Sequence, residues 1–168
     1  MEAPWGDAGL RRLALLLALA CGLLAGCGGD DAADGPLSKA EYEKRFNVVI
    51  QESEKRGERL GSPKSESGEE LGRFLERASE STERVSRELG ALEPPREVAS
   101  AHKDYVAGIA ATGDGLKEVA DAARRGDRSA LSKGPISFVD RAALDKLVKA
   151  RRTFAQKKYD LGDATQLP

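Results

Sequence analysis

Two segments of this chain repeat apolar residues at alternating steps of four and three, and this repeat constrains the fold more than any other feature. The segments are residues 71–92 and 98–123. Such steps place the apolar side chains on one face of an α-helix, so each segment predicts an amphipathic helix packed in a bundle. Pro94 and Pro95 separate the two helices, because proline lacks the N–H that a continuing helix needs.

A further helix is predicted before this pair. Ser38 and Glu41 have the spacing of a capping box, and Leu37 and Tyr42 stand at the two positions of a hydrophobic staple. This first helix is expected to end near Gly57 and to bury its N-terminal half best, because its later stripe positions are polar. The second helix is expected to begin near residue 63 or after residue 67.

The last helix is predicted over residues 136–159, after a short helical turn at 127–133. Its inner face is expected to comprise Val139, Ala143, Leu144, Leu147, Val148, Ala150 and Phe154. The pair Gly113 and Gly115 weakens the third helix, since each glycine costs about 1 kcal/mol relative to alanine. The apolar repeat keeps its phase across them, which favours one helix with a possible kink there.

These four amphipathic helices predict an all-α fold, an up-and-down four-helix bundle over residues 37–161. The composition agrees, since 33% of residues are charged and only 5% are aromatic, which favours solvated helices over a β-sandwich. The formal net charge of -1 gives no reason to expect nucleic-acid binding. Residues 162–168 are predicted to be a disordered tail.

The sequence of the first 27 residues predicts that the protein is exported. Arg11 and Arg12 precede an apolar run over residues 13–25, which is shorter than the roughly 20 residues of a membrane-spanning helix. The segment Leu24-Ala25-Gly26-Cys27 follows and looks like a bacterial lipobox, so the leader resembles that of bacterial membrane lipoproteins. The resemblance implies cleavage between Gly26 and Cys27, with removal of residues 1–26 and lipidation of the Cys27 thiol.

This leader has three alternative interpretations. Cys21 is a weaker lipidation residue, because no leucine stands three positions before it. An uncleaved N-terminal helix would leave the cysteines inert, and the arginine pair could belong to a twin-arginine signal, although the residues after it favour ordinary export. Residues 27–36 are predicted to be the lipidated cysteine and a flexible tether, since they are small, acidic and rich in glycine.

A second resemblance lies in the bundle. The stretch Leu89-Gly90-Ala91-Leu92-Glu93-Pro94-Pro95, with His102 and Tyr105 after it, is similar to small all-helical lipoproteins of high-GC Gram-positive bacteria. It implies no catalytic residue and no ligand. The lipobox at Cys27 predicts the location, which is the outer face of the cytoplasmic membrane. The membrane is then the expected partner, through the lipid on Cys27.

His102 is the only imidazole, which excludes any site that needs two. It lies on the inner stripe of the third helix one turn from Tyr105, so these two residues are the candidate ligand or metal site. A structural histidine bonded to a neighbouring helix is the favoured interpretation. A di-iron site would need two Glu-x-x-His motifs, and the residue three before His102 is Ala99. No metal, cofactor or catalytic residue is predicted.

The C-terminal bases form a second candidate surface, for anionic head groups or a cell-envelope polymer, against the simpler interpretation of a solvated helix face. They are Lys146, Lys149, Arg151, Arg152, Lys157 and Lys158. The sequence thus predicts a non-enzymatic, membrane-anchored lipoprotein whose bundle binds or scaffolds an unknown protein, polymer or small ligand. A metal- or haem-binding bundle that uses His102 is the alternative, and a hydrolytic enzyme ranks third.

Overall fold

The computed structural model describes residues 35–65, 67–132 and 135–162. In this part the chain is all-α, and four long helices pack antiparallel, as predicted. The helices are α1 (Lys39–Leu60), α2 (Gly68–Gly90), α3 (Ala99–Arg124), the five-residue α4 (Arg128–Ser132) and α5 (Arg141–Gln156). Gly35–Pro168 forms one compact unit. The predicted leader, most of the tether and residues 163–168 lie outside the described residues.

The start of α1 is the predicted capping box. The Ser38 hydroxyl accepts a hydrogen bond from the Glu41 amide at 3.4 Å, and the Ser38 amide donates to the Glu41 carboxylate at 3.1 Å. Helix α1 continues past the predicted end at Gly57 to Leu60, and Gly61 terminates it with φ +63°. Of the two predicted starts of α2, the later one is observed, with the Ser67 hydroxyl accepting from the Glu70 amide at 3.2 Å.

The prediction of one helix over residues 136–159 was wrong at both ends. Pro135–Phe138 forms a 3₁₀ turn, and α5 begins only after Asp140, whose carboxylate accepts from the Ala143 amide at 3.0 Å. Helix α5 ends at Gln156 in a Schellman turn, in which Lys158 has φ +56°. The Lys158 amide donates a hydrogen bond to the Ala155 carbonyl, and the Tyr159 amide donates one to the Phe154 carbonyl, each at 3.0 Å.

Helices α2 and α3 are joined by hydrogen bonds from serine side chains to backbone. The buried Ser79 hydroxyl donates to the Gly113 carbonyl at 2.7 Å, and the Ser86 hydroxyl donates to the Val106 carbonyl at 3.2 Å. Ion pairs between Glu83 and Lys117 and between Glu76 and Arg124 flank this contact. A serine side chain reaches a carbonyl of another helix only when the two backbones are close, so α2 lies directly against α3.

Small residues on α3 make this close approach possible, and α3 runs unbroken through Gly113 and Gly115 as predicted. A Cβ at Gly108 would lie 2.7 Å from Leu147 Cβ on α5, and one at Gly115 would lie 2.8 Å from Val139 Cγ2. These distances leave no room for a methyl group. The glycines that weaken α3 as an isolated helix are therefore the positions where its neighbours pack on it.

Two apolar clusters fill the interior. The larger one comprises Tyr42, Phe46, Val85, Leu89, Val98, Ala101, Tyr105, Ala150, Phe154, Tyr159 and Leu161. The smaller one comprises Leu75, Val119, Ala120 and Ala123. Helix α1 buries only Tyr42 and Phe46, which confirms the prediction that its N-terminal half packs best. The two aromatic rings reach into the larger cluster from the first two turns of α1.

The predicted inner face of α5 was too wide. Ala150 and Phe154 are buried, whereas Val148 is 38% exposed. Successive residues of an α-helix differ by about 100° around its axis, so Val148 points well away from Leu147, which packs on α3. Helix α5 contacts the bundle mainly through α3, and a single partner helix covers only a narrow stripe.

Two alanine substitutions test the role of close packing. We expect Gly108→Ala to lower the free energy of unfolding by about 1–3 kcal/mol, because the new methyl group overlaps Leu147. Gly57→Ala is the matched control, since no atom lies within 4 Å of a Cβ there. It should raise the free energy of unfolding by about 0.5–1 kcal/mol through helix propensity. Urea titration followed by circular dichroism measures both, and changes of the same sign would contradict the role assigned to Gly108.

A second pair of substitutions tests the Schellman turn at Lys158. A left-handed backbone is unfavourable for lysine, so Lys158→Gly should raise the free energy of unfolding by about 1 kcal/mol. Gly126 occupies the same position after α3, with φ +67°. Gly126→Ala should therefore lower the free energy of unfolding by about 1 kcal/mol. Thermal denaturation of the two variants should give midpoint shifts of opposite sign.

Candidate functional site

The candidate site lies in the larger apolar cluster, where aromatic rings from three parts of the chain surround His102. We call the rings of Tyr42, Phe46, Tyr105, Phe154 and Tyr159 the aromatic cluster. Their centroids are 5.5 to 6.5 Å apart in the contacting pairs, with mostly tilted or edge-to-face orientations. Such contacts stabilise by about 0.5–1.5 kcal/mol per pair beyond the area that they bury.

His102 is hydrogen-bonded to Tyr42 across the bundle. The Tyr42 hydroxyl lies 2.9 Å from His102 Nδ1, both groups are buried, and the two rings meet edge to face at 5.6 Å. His102 is only 5% exposed. The pair joins the first turn of α1 to the first turn of α3, so the only imidazole of the chain fastens two helices.

Burial determines the protonation of this pair. It raises the pKa of Tyr42, with smaller contributions from Tyr159 and Tyr105, so the phenol keeps its proton and donates it to His102 Nδ1. Burial also lowers the pKa of His102, and a polar contact with the Leu89 carbonyl opposes this. His102 Nε2 is buried and makes no hydrogen bond of good length and angle. The imidazole is therefore neutral, with its proton on Nε2.

The structure places Tyr105 within the aromatic cluster and His102 against the Tyr42 ring of that cluster, so the two predicted site residues have different partners. Tyr105 packs against Phe46 at 5.5 Å and Phe154 at 5.9 Å, and burial raises its pKa. The polar partner of His102 is Tyr42, which the sequence suggested only as a staple residue. A hydroxyl sixty residues away along the chain gives no local signal, so spacing could not reveal this hydrogen bond.

The chain after α5 closes the open side of the cluster. Tyr159 is 3% exposed and donates to the Glu97 carboxylate at 2.7 Å, while the Lys39 ammonium lies 4.9 Å from the centre of its ring. The Lys39 ammonium also donates to the Lys158 carbonyl at 2.6 Å. Burial raises the pKa of Tyr159, and the hydrogen bond to Glu97 adds to this. The C-terminal segment 157–161 therefore covers the cluster, beside the start of α1.

The remaining predicted residues fall outside the cluster. Lys146, Lys149, Arg152, Lys157 and Lys158 are exposed, and Arg151 is half-buried. Gly26 and Cys27, the predicted cleavage and lipidation positions, lie outside the described residues. In the described part of the chain, no group of three or more His, Cys, Asp or Glu side chains is placed to hold a metal ion. None of the helices in residues 35–65, 67–132 and 135–162 is both long enough and apolar enough to cross a bilayer.

Comparisons with protein-family models, with curated proteins and with solved structures gave no match to this chain. Its function is therefore inferred from the arrangement of its own residues. A neutral imidazole that is buried among aromatic rings and bonded to a phenol contributes to stability and to helix register. It does not present a base or a nucleophile to a solvent-filled pocket.

The lowered pKa of His102 makes stability depend on pH. The unfolded chain protonates its histidine near pH 6.5, and the folded chain does so only at lower pH, so the unfolded state binds more protons between these values. The stabilisation is fully present above about pH 6.5 and is lost as the pH falls toward the folded pKa. Below about pH 6.5 the free energy of unfolding should therefore fall as the pH falls, by up to about 1.4 kcal/mol per pH unit.

The variant His102→Gln should remove most of this dependence, because glutamine does not titrate, and urea titrations at several pH values measure it. An equally steep slope in the variant would assign the effect to another group.

At pH 8, Tyr42→Phe should lower the free energy of unfolding by about 1–3 kcal/mol, because His102 Nδ1 loses its only donor while it stays buried.

Proposed function

We propose that this protein is an exported lipoprotein, anchored by a lipid on Cys27 to the outer face of the cytoplasmic membrane, and that its bundle is a non-enzymatic binding or scaffolding module. The observation that carries the proposal is the sequence Leu24-Ala25-Gly26-Cys27 directly after a leader of basic and then apolar residues. This order of segments is typical of a secretory signal with a lipidation site at its end.

The position at which the chain enters the bundle supports the proposal. The Leu37 amide donates to the Glu93 carbonyl at 2.9 Å, and α1 begins two residues later. Lys39 contacts the Lys158 carbonyl, so the chain enters the bundle beside the C-terminal end of α5. Residues 27–36 can reach at most about 35 Å, so a lipid on Cys27 would hold this end of the bundle within that distance of the membrane.

The charge of that end also supports it. Residues 141–158 contain seven Lys or Arg and one acidic residue, Asp145, although the whole chain has a net charge of only -1. Most of these bases are exposed on the outer face of α5 and on the turn after it. Each basic residue at an anionic bilayer surface contributes about 1 kcal/mol of attraction. A bundle tethered by its N-terminus would present this basic surface to the head groups.

The way the bundle uses its reactive side chains supports the proposed binding role. His102 is the only histidine, and it is neutral, buried and bonded to Tyr42. The same geometry disfavours the metal or haem alternative, because Nδ1 is bonded and Nε2 faces the protein interior beside Leu89. The surface outside the cores is mainly charged, so recognition is expected to use charged side chains.

The anchor is tested by exchanging each cysteine in turn in a bacterial host. In Cys27→Ala the thiol that accepts the lipid is gone, so the protein should lose labelled palmitate and leave the membrane fraction. Cys21→Ala is the matched control and should still incorporate label and remain with membranes. Palmitate on the Cys27→Ala protein, or retention of that protein by membranes, would contradict the proposal. Loss of label in Cys21→Ala but not in Cys27→Ala would show that Cys21 is the lipidated residue.

A further inference from the structure

The second half of α1 leaves a groove against α2. Its stripe positions are polar, and among its buried residues α1 counts only Tyr42 and Phe46 from its first half. Along residues 56–60 only Leu60 is apolar, so the space next to α2 is not filled by a buried apolar side chain there. The groove has a volume of about 300 Å³ and is lined mainly by charged side chains, among them Arg56, Arg59, Arg77, Glu80 and Arg84.

The spacing of the four arginines along α1 and α2 places their side chains along the same groove. Arg56 and Arg59 are three residues apart on α1, and Arg77 and Arg84 are seven apart on α2, so each pair shares one face of its helix. Leu60 and the arginine stems provide apolar wall between the charged heads.

The carboxylates near the groove neutralise only part of this charge. Arg56 Nη2 lies 2.8 Å from Glu88 Oε2, and Arg84 Nε lies 3.4 Å from Glu88 Oε1, so these two arginines share one carboxylate. Arg59 and Arg77 make no ion pair within 4 Å among the described residues, and neither does Glu80. The four guanidinium groups thus have one ion-paired carboxylate, Glu88, and Arg59 and Arg77 interact with Glu52 and Glu70 only through longer-range electrostatics.

The roles of the arginines differ. Arg56 is the most buried of those in ion pairs, with 17% of its side chain exposed and both terminal nitrogens directed at Glu88, so it fixes the wall of the groove. The free carbonyl groups at the end of α1 offset part of the charge of Arg59. Arg77 lies in the middle of α2, where no helix end compensates it. Arg77 is therefore the strongest candidate for contact with an anion, with Arg59 opposite.

We propose that this arginine groove binds a small molecule that carries a phosphate monoester. A guanidinium donates two parallel hydrogen bonds to a phosphate, and two such groups on facing helices match its charge and its several oxygens. The volume leaves room for the group that carries the phosphate. The net charge of -1 disfavours a long polyanion such as nucleic acid. The inference names a ligand class for the proposed binding role of the bundle, and it does not need the lipid anchor.

The test uses the chain from residue 28 onward, which contains the whole compact unit Gly35–Pro168. Glycerol 3-phosphate and inorganic phosphate are titrated while the arginine side-chain N–H signals are followed by NMR at constant ionic strength. The signals of Arg59 and Arg77 should move in a saturable way. Succinate, a dicarboxylate of similar charge, should bind at least about tenfold more weakly, because it separates its two charges on two carboxylates, whereas one phosphate presents both charges and three oxygens to the two guanidiniums together.

Substitutions separate the groove from net charge. The double variant Arg59→Gln/Arg77→Gln should weaken binding at least about tenfold, because it removes the two guanidiniums without carboxylate partners. Both side chains are exposed, so an unchanged circular dichroism spectrum is expected. Arg125→Gln/Arg128→Gln, at the end of α3 and the start of α4, removes the same charge from two exposed arginines outside the groove and should leave binding unchanged.

Three results would overturn the proposal: no saturable shift in the unchanged protein, equal affinity for succinate, or an equal loss in the Arg125→Gln/Arg128→Gln control. Binding of a phosphodiester polymer in place of both small phosphates would also overturn it. None of these results affects the membrane anchor, which labelled palmitate on Cys27 tests separately.

Discussion

The close approach of α3 to its neighbours is the constraint on which the rest of this structure depends. Glycine at positions 108, 113 and 115 lets α2, α5 and the segment before α5 lie on the α3 backbone. Serine hydroxyls then reach α3 carbonyls directly, as Ser79 does at Gly113. A chain with little large apolar volume can form a dry interior in this way, because small side chains lose little entropy and backbones supply the packing atoms.

Helix α1 packs on the bundle through large aromatic side chains and not through close backbone contact. Its backbone stays farther from α3 and α5, and the aromatic cluster fills the gap, closed by the C-terminal segment 157–161. The hydrogen bond between Tyr42 and His102 sets the register of α1 in this apolar surrounding, where a misplaced polar group would stay unsatisfied. The histidine is therefore a structural element of the bundle.

The distribution of charge is more informative than its sum. The net charge of -1 is a sum over the whole chain, and it does not reveal the basic outer face of α5 or the arginine groove between α1 and α2. The two surfaces arise for different reasons. The outer face of α5 and the turn after it are basic because residues 141–158 hold seven bases and one acidic residue, and the groove exists because the second half of α1 buries no apolar side chain. We infer a membrane surface as the partner of the first and a phosphorylated small molecule as the ligand of the second.

The sequence alone predicted the four helices, most of their amphipathic faces and the capping box of α1, because periodicity and capping depend on residues within a few positions of each other. It also supplied the basis for the proposed anchor at Cys27. Only the tertiary structure decided that Tyr42 is the partner of His102, that Val148 lies outside the buried face of α5, and that four arginines share a groove. These features join residues from distant parts of the chain, or depend on which side of a helix its neighbours cover, and local spacing carries no information about either.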